Sequence, residues 1–209
     1  MNILGISGNF YRGSADAAAV LLRDGELVAA AEEERFIGVK HAPSVMPEEA
    51  IRFCLSRGGI GIDDVDVLAF PQTTWDGIER NLNEFCEFQF GGRPKAIRLV
   101  EHHVAHAAST FRFSGFDEAM ILTADWSGDG VAAIVGCGEH GRIEVFDRLP
   151  APRHSLGIYY ALVTQYLGFR KWDDEYKVMG LASYGDADTD LSWLLRGNGE
   201  GELCSTRAR

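Results

Sequence analysis

The chain has no run of apolar residues approaching the roughly 20 that a membrane-spanning helix needs. Its start, "MNILGISGNFYRG", lacks the basic stretch and long apolar centre of a secretory signal. Both absences predict a cytoplasmic protein with no membrane partner. C-x-x-C pairs are missing too. Cys54, Cys86, Cys137 and Cys204 are scattered, which argues against a zinc knot and gives no sign of a disulfide framework. Positive charge is scarce, with 20 Lys and Arg against 31 Asp and Glu and a net charge of −11. Nucleic-acid binding needs clustered basic residues to neutralise phosphates, so that class of partner is set aside. Histidine is used sparingly, six times in 209 residues, yet three of the six fall within "EHHVAH".

What remains is a globular composition, 46% hydrophobic and 24% charged, long enough for one domain or one and part of another. "NILGIS" (Asn2 to Ser7) predicts a short buried strand. "DAAAVLLRDGELVAAAEEE" places two apolar runs around Asp24-Gly25, a hairpin signal. "MPEEAIRFCLSRGG" predicts a helix, with Pro47 at its first position, Glu48 and Glu49 at its positive end, and Gly58 as its stop. Ile51, Cys54 and Leu55 share its inner face. "DVLAF", a helix with Ile78, Leu82 and Phe85 on one side, the strand "AIRLV" and the helix "HVAHAASTF" follow. This is a mixed α/β domain over residues 1–115.

The pattern then restarts. "AMILTAD" reads as a strand, "WSGDG" as a turn, and "VAAIVGCG" with "RIEVFDR" as a second hairpin. Strand, Gly-rich turn and hairpin thus occur twice, an internal repeat of pattern. Two such halves are similar to the actin, sugar-kinase and heat-shock ATPase superfamily. The expected fold is therefore α/β, ribonuclease-H-like or actin-like, with a complete first lobe. A partial second lobe with inserted helices spans 116–187, and an irregular tail spans 188–209. With no later strands to close a second sheet, the chain reads as a fragment with apolar surface left for a partner chain to cover.

His102 and His106 are four apart, so on a helix they share one face, a spacing suited to metal ligands. Asp125, at the end of a predicted buried strand, is a third candidate ligand. The alternative is that His102 packs a helix start and Asp125 opens a turn. His103 can pair with His106 at i,i+3, so the identity of the liganding histidines stays open. The Gly-rich turns "SGNFYRGSAD" and "DWSGDG", the latter containing Gly128, either cradle an anion with backbone N–H groups or simply connect elements. "EEERF" reads as a solvated loop, and Lys177 in "EYKVMGLASYG" as either an anion contact or a solvated side chain.

Taken together, "ILGISG", "AAVLLRDGELVAAAEEERF", "VKH", "EHHVAHAAS", "TADWSGDG", "HSLGIYYALVTQYLGF" and "DEYKVMGLASYG" resemble the N-terminal domain of the O-carbamoyltransferases, the nodulation-factor and antibiotic-tailoring enzymes. The resemblance runs from about Asn2 to Gly185. It implies carbamoyl transfer from carbamoyl-adenylate, made from carbamoyl phosphate and ATP, to a hydroxyl of a sugar or natural product. It implies an iron-like divalent metal on His102, His106 and Asp125, with Lys40 and His41 as a basic pair near the reaction centre. Lys177 falls in the family's "KVMGLA" signature. Two departures stand out. The family's histidine just before the aspartate matched by Asp16 is replaced by Ser14 and Ala15, which leaves Asp16 as a substitute base. The adenylate-forming domain lies beyond the last residue. The alternative expectation is a non-catalytic metal- or nucleotide-binding remnant, or an interaction module, of the same fold.

Overall fold

The computed structural model describes residues 1–10, 16–186, 188, 190, 195–197 and 203–205. The chain forms two compact units, Met1–Glu101 and His102–Arg209.

In the first unit, β1 (Asn2–Ser7) is the central strand, because alternate residues Leu4 and Ile6 are buried. It pairs antiparallel with β2 (Ala18–Arg23), and β2 pairs with β3 (Glu26–Glu32) through the expected Asp24-Gly25 turn. Both turn residues have positive φ, 52° and 88°, the geometry of a two-residue hairpin. On its other edge β1 pairs parallel with β4 (Val67–Phe70), and β4 with β5 (Ile97–Leu99). The order β3-β2-β1-β4-β5 is that of a ribonuclease-H-like lobe, as expected from the sequence. Register aligns Leu21, Leu4 and Leu68 in one row, all fully buried. Burying each such side chain is worth about 1.5–3 kcal/mol.

Helix α1 (Glu34–Ile37) is one short turn, and α2 (Glu48–Gly58) follows. Pro47 is the residue before α2, and Gly59 rather than Gly58 takes the left-handed position that ends it. Ala50, Ile51, Cys54 and Leu55 are buried against β2 and β3. α3 (Ile78–Phe90) buries Ile78, Leu82 and Cys86, with Phe85 half-buried beside them.

The second unit opens with the helix that follows β5. α4 (His102–Phe113) packs on β6 (Glu118–Gly128), β7 (Val131–Glu139) and β8 (Arg142–Pro150). The reason is hydrophobic: Ala107 and Phe111 of α4 form one core with Ile121 and Ile134. The three strands form an antiparallel meander, β6-β7-β8, so the hairpin pattern does recur. "WSG" is not a turn, because β6 runs on through Gly128 and the chain reverses at Asp129-Gly130. α5 (Leu156–Tyr166) and α6 (Glu175–Leu181) follow. Met120, Leu122, Leu162, Val163 and Tyr166 are exposed in this unit. The tail expected to be irregular contains an antiparallel strand pair, β9 (Leu195–Gly197) and β10 (Leu203–Ser205). Ser14 and Ala15 lie outside the described residues. Among the described residues no helix is long and apolar enough to cross a membrane.

Candidate metal centre

α4 begins at His102 itself, and its first N–H donates to the Asp129 carboxylate 3.0 Å away, in the β6–β7 turn. An acceptor there satisfies an otherwise unpaired helix N–H and complements the helix dipole. The turn that follows β6 therefore fixes where the helix starts.

β6 approaches the same point from the sheet. Its pairing with β7 passes from Ala124↔Ala133 to Gly128↔Val131, so the strand carries extra residues between those pairs. Such a bulge re-aims side chains. Here it directs Asp125 at α4, and Asp125 Oδ1 accepts from the Trp126 N–H at 2.6 Å. From the far side Ser155, which caps α5 by accepting from the Ile158 N–H, donates to the Trp126 carbonyl at 2.6 Å.

Three donor atoms converge as a result. His102 Nε2 lies 2.7 Å from Asp125 Oδ2, His106 Nε2 lies 3.0 Å from His102 Nε2, and His106 Nε2 lies 3.4 Å from Asp125 Oδ2. The set spans no more than 4.8 Å and is half-buried to exposed. Ligand bonds of about 2.0–2.2 Å to one ion place neighbouring donors about 3 Å apart. Two imidazole nitrogens and one carboxylate are also the donor set suited to Fe(II) and related ions with open positions. The residues present therefore fit a divalent metal.

The charges are coupled. Hydrogen bonds from His102 and then His106 hold the Asp125 carboxyl well below the usual carboxylate range. The Asp125 hydrogen bond raises His106 above an ordinary imidazole, against an opposing effect of burial.

His103 stands apart from the other two histidines. It is fully buried, and its ring lies between Thr123 Oγ1 (2.6 Å) and the Val131 carbonyl (3.0 Å). Burial lowers its pKa, so it stays a neutral core side chain.

Gly128, expected to bind substrate or nucleotide, lies against His102. A Cβ placed on it would fall within the His102 ring. Gly128 is buried, and its bare backbone leaves the space His102 occupies. Lys177 donates to Asp174 at 2.6 Å, an ion pair at the start of α6.

The first unit gathers the other candidates. His41 Nδ1 and Asp16 Oδ1 are 2.7 Å apart, and the His41 backbone N–H donates to Glu34 Oε2 at 2.8 Å. His41, Ala42 and Ser44 all have positive φ (65°, 38° and 61°), a cluster of non-glycine left-handed residues of the kind found at functional sites. Lys40 precedes them and is exposed. "EEERF" is not simply a solvated loop. Glu33 is buried, and its carboxylate accepts from the Glu49 and Ala50 N–H groups at 3.1 and 2.8 Å, capping α2. That cap acts across 16 residues and leaves no trace in local sequence pattern.

The family profile described as "Carbamoyltransferase N-terminus" matches residues 2–88 and 89–198. The chain is 36% identical over 192 residues to nodulation protein NolNO of Sinorhizobium fredii, a match covering 82% of this chain and 28% of that protein. It is 33% identical over 220 residues to an uncharacterised protein, sll1178, of Synechocystis, covering 88% and 35%. The chain thus spans about a third of the length of these curated relatives. Among solved structures, ROK hexokinase from Thermus thermophilus is 16% identical with a TM-score of 0.48, covering 90% of this chain and 70% of that one. YeaZ from Pseudomonas aeruginosa is 17% identical with a TM-score of 0.44, covering 71% and 66%.

Proposed function

The chain belongs to the carbamoyltransferase family, as its N-terminal part, and from that premise we propose that it carries the transferase chemistry: moving a carbamoyl group onto a hydroxyl. The donor is carbamoyl-adenylate, made from carbamoyl phosphate and ATP, and the acceptor a sugar or natural-product hydroxyl. The observation that carries this reading is the convergence of His102, His106 and Asp125 on one point.

In the transfer, the acceptor oxygen forms a bond to the carbamoyl carbon, the bond from that carbon to the adenylate phosphate oxygen breaks, and AMP leaves. A divalent ion on the three ligands would supply Lewis acidity toward the carbonyl or the leaving phosphate. The remaining work falls to side chains. Asp16 orients the His41 imidazole through the contact to its Nδ1, as a carboxylate does for a general base. His41 takes the proton that the acceptor hydroxyl loses, and Glu34 fixes the His41 backbone while this happens. Lys40 is the candidate cation of the first unit for an anionic group, and in the second unit Lys177 is held by Asp174.

Two measurements test this. Elemental analysis of the purified chain, beside an H102A/H106A variant, is expected to find about one equivalent of metal in the first and none in the second. Incubation with carbamoyl-adenylate and a panel of amino- and neutral sugars is expected to give carbamate esters, lost in H41A and D16N. Metal retained by the double variant refutes the ligand assignment. Bound metal without any carbamate ester supports the other reading, a non-catalytic metal- or nucleotide-binding module.

A further inference from the structure

The first turn of α4 offers two chelating pairs. His102 and His106 are one, at i,i+4, and His103 and His106 are the other, at i,i+3. Successive residues on a helix are about 100° apart, so a rotation of α4 by only about 50°, half a residue step, would exchange the pairs. The ring centroids differ as this geometry requires, 4.6 Å for His102–His106 and 6.1 Å for His103–His106. Something must fix the rotation of the helix.

The geometry points to His103 as a positioning residue, whose two hydrogen bonds select His102 and His106 as the ligand pair. The inference rests on the metal reading above and deepens it. The Val131 carbonyl can only accept, so the proton of the ring is on Nε2 and donates across 3.0 Å. Nδ1 therefore accepts, and the Thr123 hydroxyl is its donor at 2.6 Å. That hydroxyl is itself oriented, because Thr123 Oγ1 accepts the Ile134 N–H at 3.2 Å. Both ring nitrogens are thereby used, and one neutral tautomer is imposed with no lone pair left for an ion. The clamp also ties the two halves of the site together. Thr123 and Asp125 alternate on the same face of β6, so the strand that holds His103 is the one that supplies the carboxylate.

The test uses the full chain, 15N-labelled at histidine, titrated with Zn(II), together with H103L, H103Q and T123V. In the wild type the His103 ring is expected to show a single tautomer, protonated at Nε2, before and after one equivalent of Zn(II), while the His102 and His106 signals shift. H103L should bind Zn(II) about 10–100-fold more weakly, the usual cost of losing a group that orients ligands. H103Q, whose amide offers a donor and an acceptor, should recover most of that loss. T123V removes one bond and keeps the imidazole, so it should weaken Zn(II) binding with an unchanged far-ultraviolet circular dichroism spectrum. A purely structural role would lower thermal stability in H103L yet leave the Zn(II)-bound His102 and His106 signals as in the wild type. A Zn(II)-induced coordination shift at His103, or wild-type affinity in both H103L and T123V, overturns the inference. If the wild type itself takes up no Zn(II), the metal reading fails and the inference with it. If it binds and the variants bind equally, only the inference fails.

Discussion

Replacing Gly128 by alanine adds one carbon atom at the point where His102 lies against β6. That atom would overlap the imidazole, with Cγ, Cδ2 and Cβ of His102 as its nearest neighbours. Neither side can yield easily, since Gly128 is buried at the end of β6 and His102 is the first residue of a helix tied to Asp129. Overpacking of this kind costs about 1–3 kcal/mol. For a chain of this size each kcal/mol is about 2–4 °C, so the melting temperature should fall by roughly 2–12 °C. If His102 swings away, its 2.7 Å approach to Asp125 is lost and metal affinity should drop by at least about 100-fold. Differential scanning fluorimetry and Zn(II) titration of G128A measure both effects. G180A is the control, since a Cβ there meets nothing within 4 Å, and it should be neutral or slightly stabilising. The decisive sample is G128A/H102A. Removing the ring removes the clash, so the double variant should melt close to H102A alone. Additive losses in the double variant, or wild-type affinity in G128A, would refute the steric argument and return Gly128 to the role of a phosphate-cradling turn.

Three further outcomes are expected. His106 is raised by its bond to Asp125, so in the metal-free protein its stabilising contribution is complete below about pH 6.5 and is lost as pH rises through the raised value. The Asp125 contribution, from a lowered pKa, is present above about pH 3.8 and lost on acidification below it. Zn(II) affinity should therefore begin to weaken at a pH above 6.5 on acidification, and D125N should move that onset down; an onset at or below 6.5 in the wild type contradicts the pairing. Glu33→Ala leaves two N–H groups at the start of α2 without their acceptor, a cost of about 1–3 kcal/mol visible as a lower urea midpoint; an unchanged midpoint would mean the cap contributes nothing. Burial pushes the Cys86 thiol up to about 11 and raises Cys54, so peptide-mapped alkylation at pH 8 should label both at least ~100-fold more slowly than an ordinary exposed thiol.

Periodicity carried the sequence reading a long way. The short apolar run in "NILGIS" and the Asp-Gly turn led directly to β1, β2 and β3, because strand hydrophobicity and turn chemistry are local. The spacing of His102 and His106 placed them on one helical face for the same reason. What local pattern could not reveal was which approach across the chain each residue makes. Trp126 to Gly128 looked like a turn because a bulge breaks the period of two, while the reversal was one step later at Asp129-Gly130. Gly128 and Asp129 act on His102 from 26 and 27 residues away, and His103 separates from its neighbours only once Thr123 and Val131 are beside it. The apolar face of α4 is the same in sequence whichever sheet it covers, so its packing on β6 and β7 is visible only in the fold.

The position of β1 in its sheet has a consequence for synthesis on the ribosome. Its antiparallel partner β2 begins at Ala18, but its parallel partner β4 begins only at Val67, after β3 has ended at Glu32. At roughly 5–20 residues per second, that interval takes about 2–7 s. Until Val67 is made, the edge of β1 that β4 takes has no partner strand, a template for any other extended chain nearby. Nascent chains emerging close together on one message would be the first to find it, so slowing elongation across residues 33–66 should favour aggregation during synthesis over loss of the finished protein.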